Sequence, residues 1–426
     1  MKKIISAGVI LGVVFLLANY CFVDASTFGQ ESRFGFLSTG IGITPKAAKK
    51  IKTFWLRPHI GQAIWENIEG TKGVFTWTRM DKEVKDAQKY NLQLLVTIWP
   101  FATWDQEVCH KNIKNAQGFE NELPLKRGAP CDYTAYNNFL TKLIERYDDD
   151  GKDDMPGLQY GVKYWEILNE PEMKGDLVFF KGTAKEYFNL LKASYETIKK
   201  ADSESFVLLG GMAGINPEMK FFWKKVFKLG GKNYFDIGNI HSISSDSEDL
   251  NAGAYKSFLK KNKIDKNFWI TEVQISSGEI MTPDGPVIRS EEDQANEIVK
   301  GYVRAYKAGA RKSFYTIYKT DSHASQDLRD SALIFAGIKK PAYYGMKTMV
   351  KKLDGFTKAK KISASQYKFK INNKWIYILW SSGVFDTLPS EFMNKNLKVT
   401  DMRGSSSVIS ASGITLSNAP IFVEIL

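Results

Sequence analysis

The chain has 426 residues, is 43% hydrophobic and carries a formal net charge of +12, so it can fill a large core and has no composition typical of disorder. Its length exceeds one ordinary domain and suits a barrel with a smaller companion. It contains no Walker-type phosphate loop and no dinucleotide-binding glycine fingerprint, and its four histidines disfavour a histidine-rich metal centre. We therefore predict no metal and no cofactor.

The first 25 residues have the pattern of an export signal. Lys2 and Lys3 precede an apolar run from Ile4 to Val23, and the segment ends at the small residue Ala25. We predict a signal peptide over residues 1–25. The apolar run is also long enough to span a bilayer, so an uncleaved anchor is the alternative. Export argues against nucleic acid as a partner, and membrane contact is expected only through this segment.

Between residues 33 and 353, short β-rich runs alternate with amphipathic helical stretches. The predicted strands are Gly35–Thr39, Phe54–Ile60, Leu92–Pro100, Val162–Asn169, Phe206–Ala213, Phe235–Ile243, Asn267–Gln274 and Lys312–Tyr318. The predicted helices are Pro45–Ile51, Met80–Tyr90, Tyr133–Tyr147, Ala184–Lys200, Pro217–Leu229, Ala252–Asn262, Glu291–Ala308 and Pro341–Leu353. Several strands are apolar at nearly every position, as strands buried on both faces are. The repeat predicts an α/β fold, a closed (β/α)8 TIM barrel.

Two cysteines, Cys109 and Cys131, lie in a loop-like stretch of the barrel region, and they are the ones that remain once the export segment is removed. Two cysteines in an oxidising compartment usually pair, so we predict a disulfide. A zinc site that includes His110 and Asp132 is the alternative, but its spacing matches no familiar pattern.

After Leu353 the pattern changes to short strands separated by turn residues. Strands are predicted at Gln366–Ile371, Trp375–Trp380, Leu397–Thr400, Ser407–Ser410 and Ile421–Ile425, the first two joined by a hairpin turn. We predict that residues 354–426 form a small β-sandwich domain packed on the barrel, with residues 26–33 as a candidate for one more strand.

Two glutamates stand at the ends of predicted strands, where barrel active sites form. Glu170 follows Asn169 at the end of the fourth strand, and Glu272 ends the seventh. Glycosidic cleavage with retention uses two carboxyl groups about 5–5.5 Å apart, one as the proton donor and the other as the nucleophile. We predict Glu170 as the acid/base and Glu272 as the nucleophile. Glu166 and Glu172 flank the acid and are given no role.

The Asn-Glu-Pro tripeptide at 169–171, together with Glu272, resembles clan A of the retaining glycoside hydrolases. Within that clan, residues 165–171, residues 235–241 and the late β-domain are most similar to the family of β-xylosidases, α-iduronidases and bacterial exopolysaccharide hydrolases. The resemblance extends over residues 33–426. It implies the barrel, the β-domain and the assignment of the two glutamates.

The resemblance also implies substrate-binding residues. Arg57 ends the second strand, where this clan often has an Arg that hydrogen-bonds the nucleophile, and Asn169 corresponds to the partner of the sugar 2-hydroxyl. His241 ends the sixth strand, where relatives often have a His followed two residues later by Tyr. This chain has Ile243 there, so the usual Tyr contact with the nucleophile is in doubt.

Aromatic residues complete the predicted site. Trp99 ends the third strand and Trp104 follows it, and either can stack on a sugar ring. Many relatives place a Trp on the eighth strand, where Tyr318 is the nearest aromatic residue to the strand end. Packing in the core is the alternative for all three.

The predicted function is hydrolysis of a β-linked oligo- or polysaccharide through a covalent glycosyl-enzyme intermediate, outside the membrane. Two alternatives remain open: a catalytically silent glycan-binding envelope protein, and a transglycosylase that uses the same two glutamates. The basic charge makes an anionic polysaccharide one candidate substrate, although a solvated lysine-rich surface explains the charge equally well. The sequence indicates neither the sugar nor the oligomeric state.

Overall fold

A computed structural model describes residues 32–38, 40–116, 122–175, 178–243, 247–282, 285–381, 383 and 387–426. The predicted export segment, residues 1–25, lies outside these residues. Of residues 26–33, Ser32 and Arg33 are described, and they lead directly into the first strand. Within the described part of the chain, no helix is long and apolar enough to cross a membrane.

The barrel predicted from the sequence is confirmed. The first ten strands are β1 (Phe34–Leu37), β2 (Trp55–Arg57), β3 (Gln93–Ile98), β4 (Tyr164–Asn169), β5 (Phe206–Gly211), β6 (Gly238–Ser242), β7 (Phe268–Val273), β8 (Gly278–Thr282), β9 (Gly285–Arg289) and β10 (Ser313–Tyr315). All but the β8–β9 hairpin form one parallel sheet in the order β5-β4-β3-β2-β1-β10-β7-β6. Two isolated bridges, Leu208–Ile237 and Met212–Ile240, join β5 to β6 and close the barrel.

Helices surround the strands at the positions that the apolar periodicity predicts. They are α1 (Pro45–Ile51), α2 (Trp65–Ile68), α3 (Thr78–Gln88), α4 (Thr103–Cys109), α5 (Tyr133–Tyr147), α6 (Ala184–Ala201), α7 (Pro217–Lys228), α8 (Ala252–Lys261), α9 (Glu291–Ala308), α10 (Gln326–Ser331) and α11 (Pro341–Leu353). The short helices α2, α4 and α10 were not predicted, because one or two turns are too few to show a period.

The inside of the barrel is apolar at one end and polar at the other. The eight strands or their immediate neighbours supply one buried cluster of apolar residues: Leu37, Trp55, Leu95, Tyr164, Leu208, Ile237, Trp269 and Phe314. Towards the carboxyl ends of the strands, the buried residues become polar and include Arg57, Glu166 and His241. Burying such groups is costly unless they bond to one another, so this end is where a site is expected.

The predicted C-terminal β-domain is also present. Three short strands follow the barrel and six longer ones form the domain: β11 (Lys319–Thr320), β12 (Ile334–Phe335), β13 (Ile338–Lys339), β14 (Lys358–Ser363), β15 (Gln366–Ile371), β16 (Lys374–Leu379), β17 (Asn396–Thr400), β18 (Ser406–Ser410) and β19 (Ile421–Ile425). The last six form a single antiparallel sheet in the order β14-β15-β16-β19-β17-β18, and not the two facing sheets of a sandwich. The reason is that one face of the sheet packs on the barrel, with Phe369, Ile376 and Phe422 in the main core.

A disulfide joins Cys109, at the end of α4, to Cys131, just before α5. The two residues are 22 positions apart, and their Cα atoms are separated by 5.8 Å. The bond therefore closes the long loop between β3 and α5, which lies on the side of the barrel where the strands end. Beside it, the His110 imidazole bonds to the carbonyl of Ala129 at 2.7 Å.

Replacing both cysteines with serine should lower the free energy of unfolding by roughly 3 kcal/mol, because the open loop gains entropy in the unfolded chain. Urea unfolding of the double variant and of the parent protein measures this difference. Addition of reductant should destabilise the parent protein alone. An equal effect of reductant on both proteins would show that this bond does not form in solution.

Candidate active site

Glu170 is held at the end of β4 by an unusual backbone. Leu168 and Glu170 have φ values of 69° and 40°, in the left-handed region that non-glycine residues rarely adopt. The amide of Glu170 donates a hydrogen bond to the carbonyl of Gly211 on β5 at 3.0 Å, which helps to fix this conformation. Such strain costs on the order of 1–3 kcal/mol per residue and is concentrated at functional sites.

A β-bulge directs Glu272 into the barrel. Ile240 on β6 pairs with Ile270 on β7, but the next residue of β6, His241, pairs with Glu272, so β7 contains one extra residue between the two pairs. In a regular strand, Thr271 and Glu272 would point to opposite faces. With the bulge, both side chains bond to groups inside the barrel, as bulges next to active sites often allow.

These local features bring the two predicted carboxyl groups together. A carboxylate oxygen of Glu170, a carboxylate oxygen of Glu272 and a ring nitrogen of His241 all lie within 4.8 Å of one another. The His241 Nδ1 atom is 2.7 Å from Glu170 Oε1 and 3.8 Å from Glu272 Oε1. The two carboxyl groups therefore lie next to each other, at a separation that a single sugar ring can bridge.

Arg57, at the end of β2, orients the residues around it. Its side chain is fully buried and donates from Nη1 to Glu272 Oε1 at 2.7 Å, from Nη2 to Asn169 Oδ1 at 2.6 Å and from Nε to Glu166 Oε2 at 2.9 Å. The predicted contact between Arg57 and Glu272 is thus present. Because Asn169 accepts through its oxygen, its amide nitrogen is the atom left to donate to a ligand.

Glu166, which received no role from the sequence, belongs to this network. It is fully buried and accepts hydrogen bonds from Arg57, Thr97 and Asn239. Arg57 thus contacts two buried carboxyl groups, those of Glu166 and Glu272. A simple signal was available in the sequence, because Glu166 stands four positions before Glu170, and residues an even number of positions apart in a strand share a face.

His241 connects Glu170 to the same network, and the hydrogen bonds around its ring show which ring nitrogen carries a proton. The amide nitrogen of Asn239 donates to Glu166, so its Oδ1 accepts from the Thr271 hydroxyl at 2.7 Å. Thr271 Oγ1 must then accept from His241 Nε2, which is 3.0 Å away. Nδ1 is left facing Glu170, and one proton is shared between these two groups.

Space for the imidazole depends on Gly211 at the end of β5. A Cβ atom at this position would lie 1.9 Å from His241 Nε2, which is far inside any contact distance. Gly211 also provides the carbonyl that receives the Glu170 amide. A side chain at 211 would therefore displace His241 from its position beside Glu170.

The surroundings shift the two carboxyl groups in opposite directions. Burial raises the pKa of Glu170, and the negative charge of Glu272 adds to this effect. Burial would also raise the pKa of Glu272, but the positive charges of His241 and Arg57 outweigh it and hold the pKa at about 2. For His241, burial lowers the pKa, but the charges of Glu272 and Glu170 raise it overall. Glu272 thus stays ionised, and the proton that Glu170 and His241 share is the one available for transfer.

His59, two residues after Arg57, lines the site and was not predicted. Its ring lies 5.9 Å from the Trp99 ring and 6.0 Å from the Phe179 ring, between centroids. Burial lowers its pKa to about 3, so the imidazole is neutral near Glu272. The sequence pattern did not single out this residue, which lies two positions beyond the end of β2 at Arg57.

The predicted aromatic contacts lie in packed surroundings. Trp99 is fully buried and donates from its indole nitrogen to the carbonyl of Ile60 at 2.8 Å. Trp104 packs against the Trp65 ring, at 5.0 Å between centroids, and donates to the carbonyl of Glu69. Tyr318 is buried against Phe36 at 6.0 Å. The contacts of these three residues are those of core packing, which was the alternative considered for them.

Three ligand-type side chains, Glu170, His241 and Glu272, are close enough to hold a metal ion. The guanidinium of Arg57 already occupies Glu272 Oε1 at 2.7 Å, and its positive charge would repel a cation bound there. The arrangement therefore suits proton transfer and nucleophilic attack better than metal binding.

Replacing Arg57 with Ala should lower the free energy of unfolding by about 3–5 kcal/mol, because it leaves the buried charges of Glu166 and Glu272 without their cation. Thermal or urea unfolding provides the measurement. Arg146→Ala is the matched control, since Arg146 makes two bonds to Asp81 but lies nearer the surface, and it should cost about 1 kcal/mol. Equal losses in the two variants would contradict a central role for Arg57.

No protein-family model matches this chain, and no curated protein sequence matches it. Solved structures do match its fold. They include a family 39 glycoside hydrolase from the gut symbiont Bacteroides cellulosilyticus WH2, with a TM-score of 0.66 and 16% identity over 93% of this chain and 82% of that chain. A monomeric β-xylosidase from Caulobacter crescentus CB15 has a TM-score of 0.62 and 13% identity over 93% and 96%.

A GH30 endoxylanase from Clostridium papyrosolvens C71 also matches, with a TM-score of 0.59 and 13% identity over 93% of this chain and 96% of that chain. All three matches span the barrel and most of the β-domain of this chain. The resemblance read from the sequence is thus confirmed at the level of the fold: the chain folds as glycoside hydrolases of families 39 and 30 do.

Proposed function

We propose that this protein is a retaining glycoside hydrolase acting on a β-linked oligo- or polysaccharide. The observation that carries the proposal is the pair of carboxyl oxygens, from Glu170 and Glu272, within 4.8 Å of each other and with pKa values shifted in opposite directions. That pairing is what two-step displacement at an anomeric carbon requires. The shared fold with families 39 and 30 supports the same reaction class.

In the first step, Glu272 attacks the anomeric carbon. Its Oε1 is held by Arg57, so Oε2 is the atom that forms the new bond. As the bond between the anomeric carbon and the leaving oxygen breaks, the proton of Glu170 is transferred to that oxygen. The products are the released alcohol and a glycosyl ester on Glu272.

In the second step, a water molecule attacks the anomeric carbon and gives its proton to the Glu170 carboxylate. The bond to Glu272 breaks, and the sugar leaves with its original configuration. The proton that Glu170 gives up in the first step is the one it shares with His241 Nδ1, 2.7 Å away, and the attacking water molecule restores it. With its oxygen bound by Arg57, Asn169 can donate from its amide nitrogen to a sugar hydroxyl during both steps.

Glu272→Gln should reduce turnover by about 10⁴-fold or more, because the amide cannot form the covalent intermediate. Glu170→Gln should reduce it by about 10²–10⁴-fold on substrates with poor leaving groups. Hydrolysis of aryl β-glycosides and of β-linked polysaccharides is the measurement. Glu196→Gln, an exposed residue on α6, is the control and should be as active as the parent protein.

Azide, an external nucleophile, distinguishes the acid/base role of Glu170 from the nucleophile role of Glu272. With Glu170→Ala and an activated aryl β-glycoside, azide should intercept the glycosyl-enzyme and yield the β-glycosyl azide. With Glu272→Ala, azide takes the place of the nucleophile and should yield the α-glycosyl azide. The reverse pattern would exchange the assignments, and formation of the α-sugar by the unmodified protein would exclude retention.

The value of kcat/KM should decrease as the pH becomes alkaline and should stay nearly constant towards mildly acidic pH. The pKa of Glu272 is held at about 2, so the nucleophile is ionised above roughly pH 3. Glu170 must carry a proton, and its raised pKa means that the proton is lost only as the pH rises. Glu170→Gln should remove the alkaline limb for substrates whose leaving group needs no protonation. An acidic limb near pH 4–5 in the parent protein would indicate that Glu272 titrates normally.

A further inference from the structure

The outer face of the C-terminal sheet carries a group of lysines that has no role in the barrel. Lys358 on β14 is paired with Lys370 on β15, and Lys360 is paired with Lys368. Lys370 is in turn paired with Trp375 on β16. Residues at alternate positions point to the same face, so these five side chains form one surface, here called the lysine face. The residues between them face the barrel core.

The lysine face is electrostatically unbalanced. Like charges directly opposite each other on neighbouring strands destabilise a sheet, and here two such pairs are adjacent. Lys368 is compensated by Glu391, whose Oε1 accepts from its Nζ at 2.6 Å. Among the residues that the structure describes, Lys358, Lys360 and Lys370 have no carboxylate within ion-pair distance. An anion bound at this face would remove the repulsion.

Protection of a sheet edge does not explain the arrangement. β14 is the edge strand, and lysines on an edge strand hinder pairing with another chain. That accounts for Lys358 and Lys360. Lys368 and Lys370 lie on β15, which has a neighbouring strand on each side, and so does Trp375 on β16. The three interior residues therefore need another explanation.

Trp375 gives the lysine face a flat apolar surface. Its indole is half-buried, and the ammonium groups of Lys360 and Lys368 lie 5.6 and 5.3 Å from its ring centroid. An indole ring can contact the C–H face of a sugar, while ammonium groups bind carboxylate or sulfate substituents. Indole rings that enter a membrane interface project from the protein surface, whereas this ring is half-buried within the sheet. The combination favours an acidic polysaccharide over a membrane surface.

The basic region continues around the edge of the sheet. A cleft of about 1050 Å³ between the sheet and the barrel is lined by Ala359, by the acidic residues Asp236 and Asp265, and by a larger number of basic residues that includes Lys260 and Lys263. Ala359 stands between Lys358 and Lys360 on β14, and successive residues of a strand point to opposite sides. The cleft and the lysine face thus lie on the two sides of one strand, and a polymer can follow the positive charge from one to the other.

We propose that the lysine face binds an anionic polysaccharide, whose acidic groups pair with Lys358, Lys360 and Lys370 while a sugar ring contacts Trp375. The site lies on the C-terminal sheet and uses neither Glu170 nor Glu272. It therefore does not depend on the proposed hydrolysis, although a hydrolase would gain from holding its polymer at a second point.

Affinity electrophoresis through gels that contain polygalacturonate tests the proposal. The Glu272→Gln protein is used throughout, so that binding is measured without cleavage whether or not the chain is a hydrolase. Lys358→Gln combined with Lys370→Gln should weaken binding about tenfold, which corresponds to about 1.4 kcal/mol. Lys49→Gln combined with Lys50→Gln, on the exposed face of α1, removes the same charge and should change binding little.

Further measurements distinguish the specific site from general charge attraction. Trp375→Leu should weaken binding to polygalacturonate but not to polyglutamate, which has the charges without the sugar. The two lysine substitutions should leave the thermal midpoint unchanged or raise it, because they relieve like-charge repulsion. Equal binding losses in the α1 control, no effect of Trp375→Leu, or binding only to phosphatidylglycerol vesicles would each overturn the proposal.

Discussion

The candidate site depends on one buried ion cluster, the guanidinium of Arg57 with the carboxylates of Glu166 and Glu272. A buried cation is tolerable only when anions surround it, and the anions need the cation equally. Arg57 lies on β2, whereas its partners lie on β4 and β7, so the cluster fixes the relative positions of three strands. Both candidate catalytic groups are positioned through it, Glu272 directly and Glu170 through Asn169, the residue before it.

Local strain and this cluster are two parts of one arrangement. Regular strands would turn every second side chain away from the barrel interior, and they cannot present Asn169 with Glu170, or Thr271 with Glu272, to the same cleft. The left-handed residue Glu170 and the bulge in β7 overcome that limit. Both distortions destabilise the backbone, and the bonds to Arg57 and His241 offset their cost.

Much of the fold was predictable because it follows from the regular spacing of apolar residues along the chain. Helices α1, α5, α9 and α11 have the predicted bounds, since caps and apolar stripes mark their ends. β14 was missed because its lysines hide the strand pattern. The arrangement of the β-domain as one sheet was not predicted, because no sequence pattern shows that the barrel covers one of its faces. Glu170, Glu272 and Arg57 follow from strand ends, whereas His59 is placed by tertiary packing alone.

The junction between β5 and β6, here called the seam, is paired less extensively than the rest of the barrel. Every other pair of neighbouring barrel strands is joined by a ladder of paired residues, but this junction has isolated bridges. The contact of Glu170 with His241 runs from β4 to β6 and so crosses the seam over Gly211. A change in the proton shared by these two groups would therefore alter a contact that links the strands on either side of this junction.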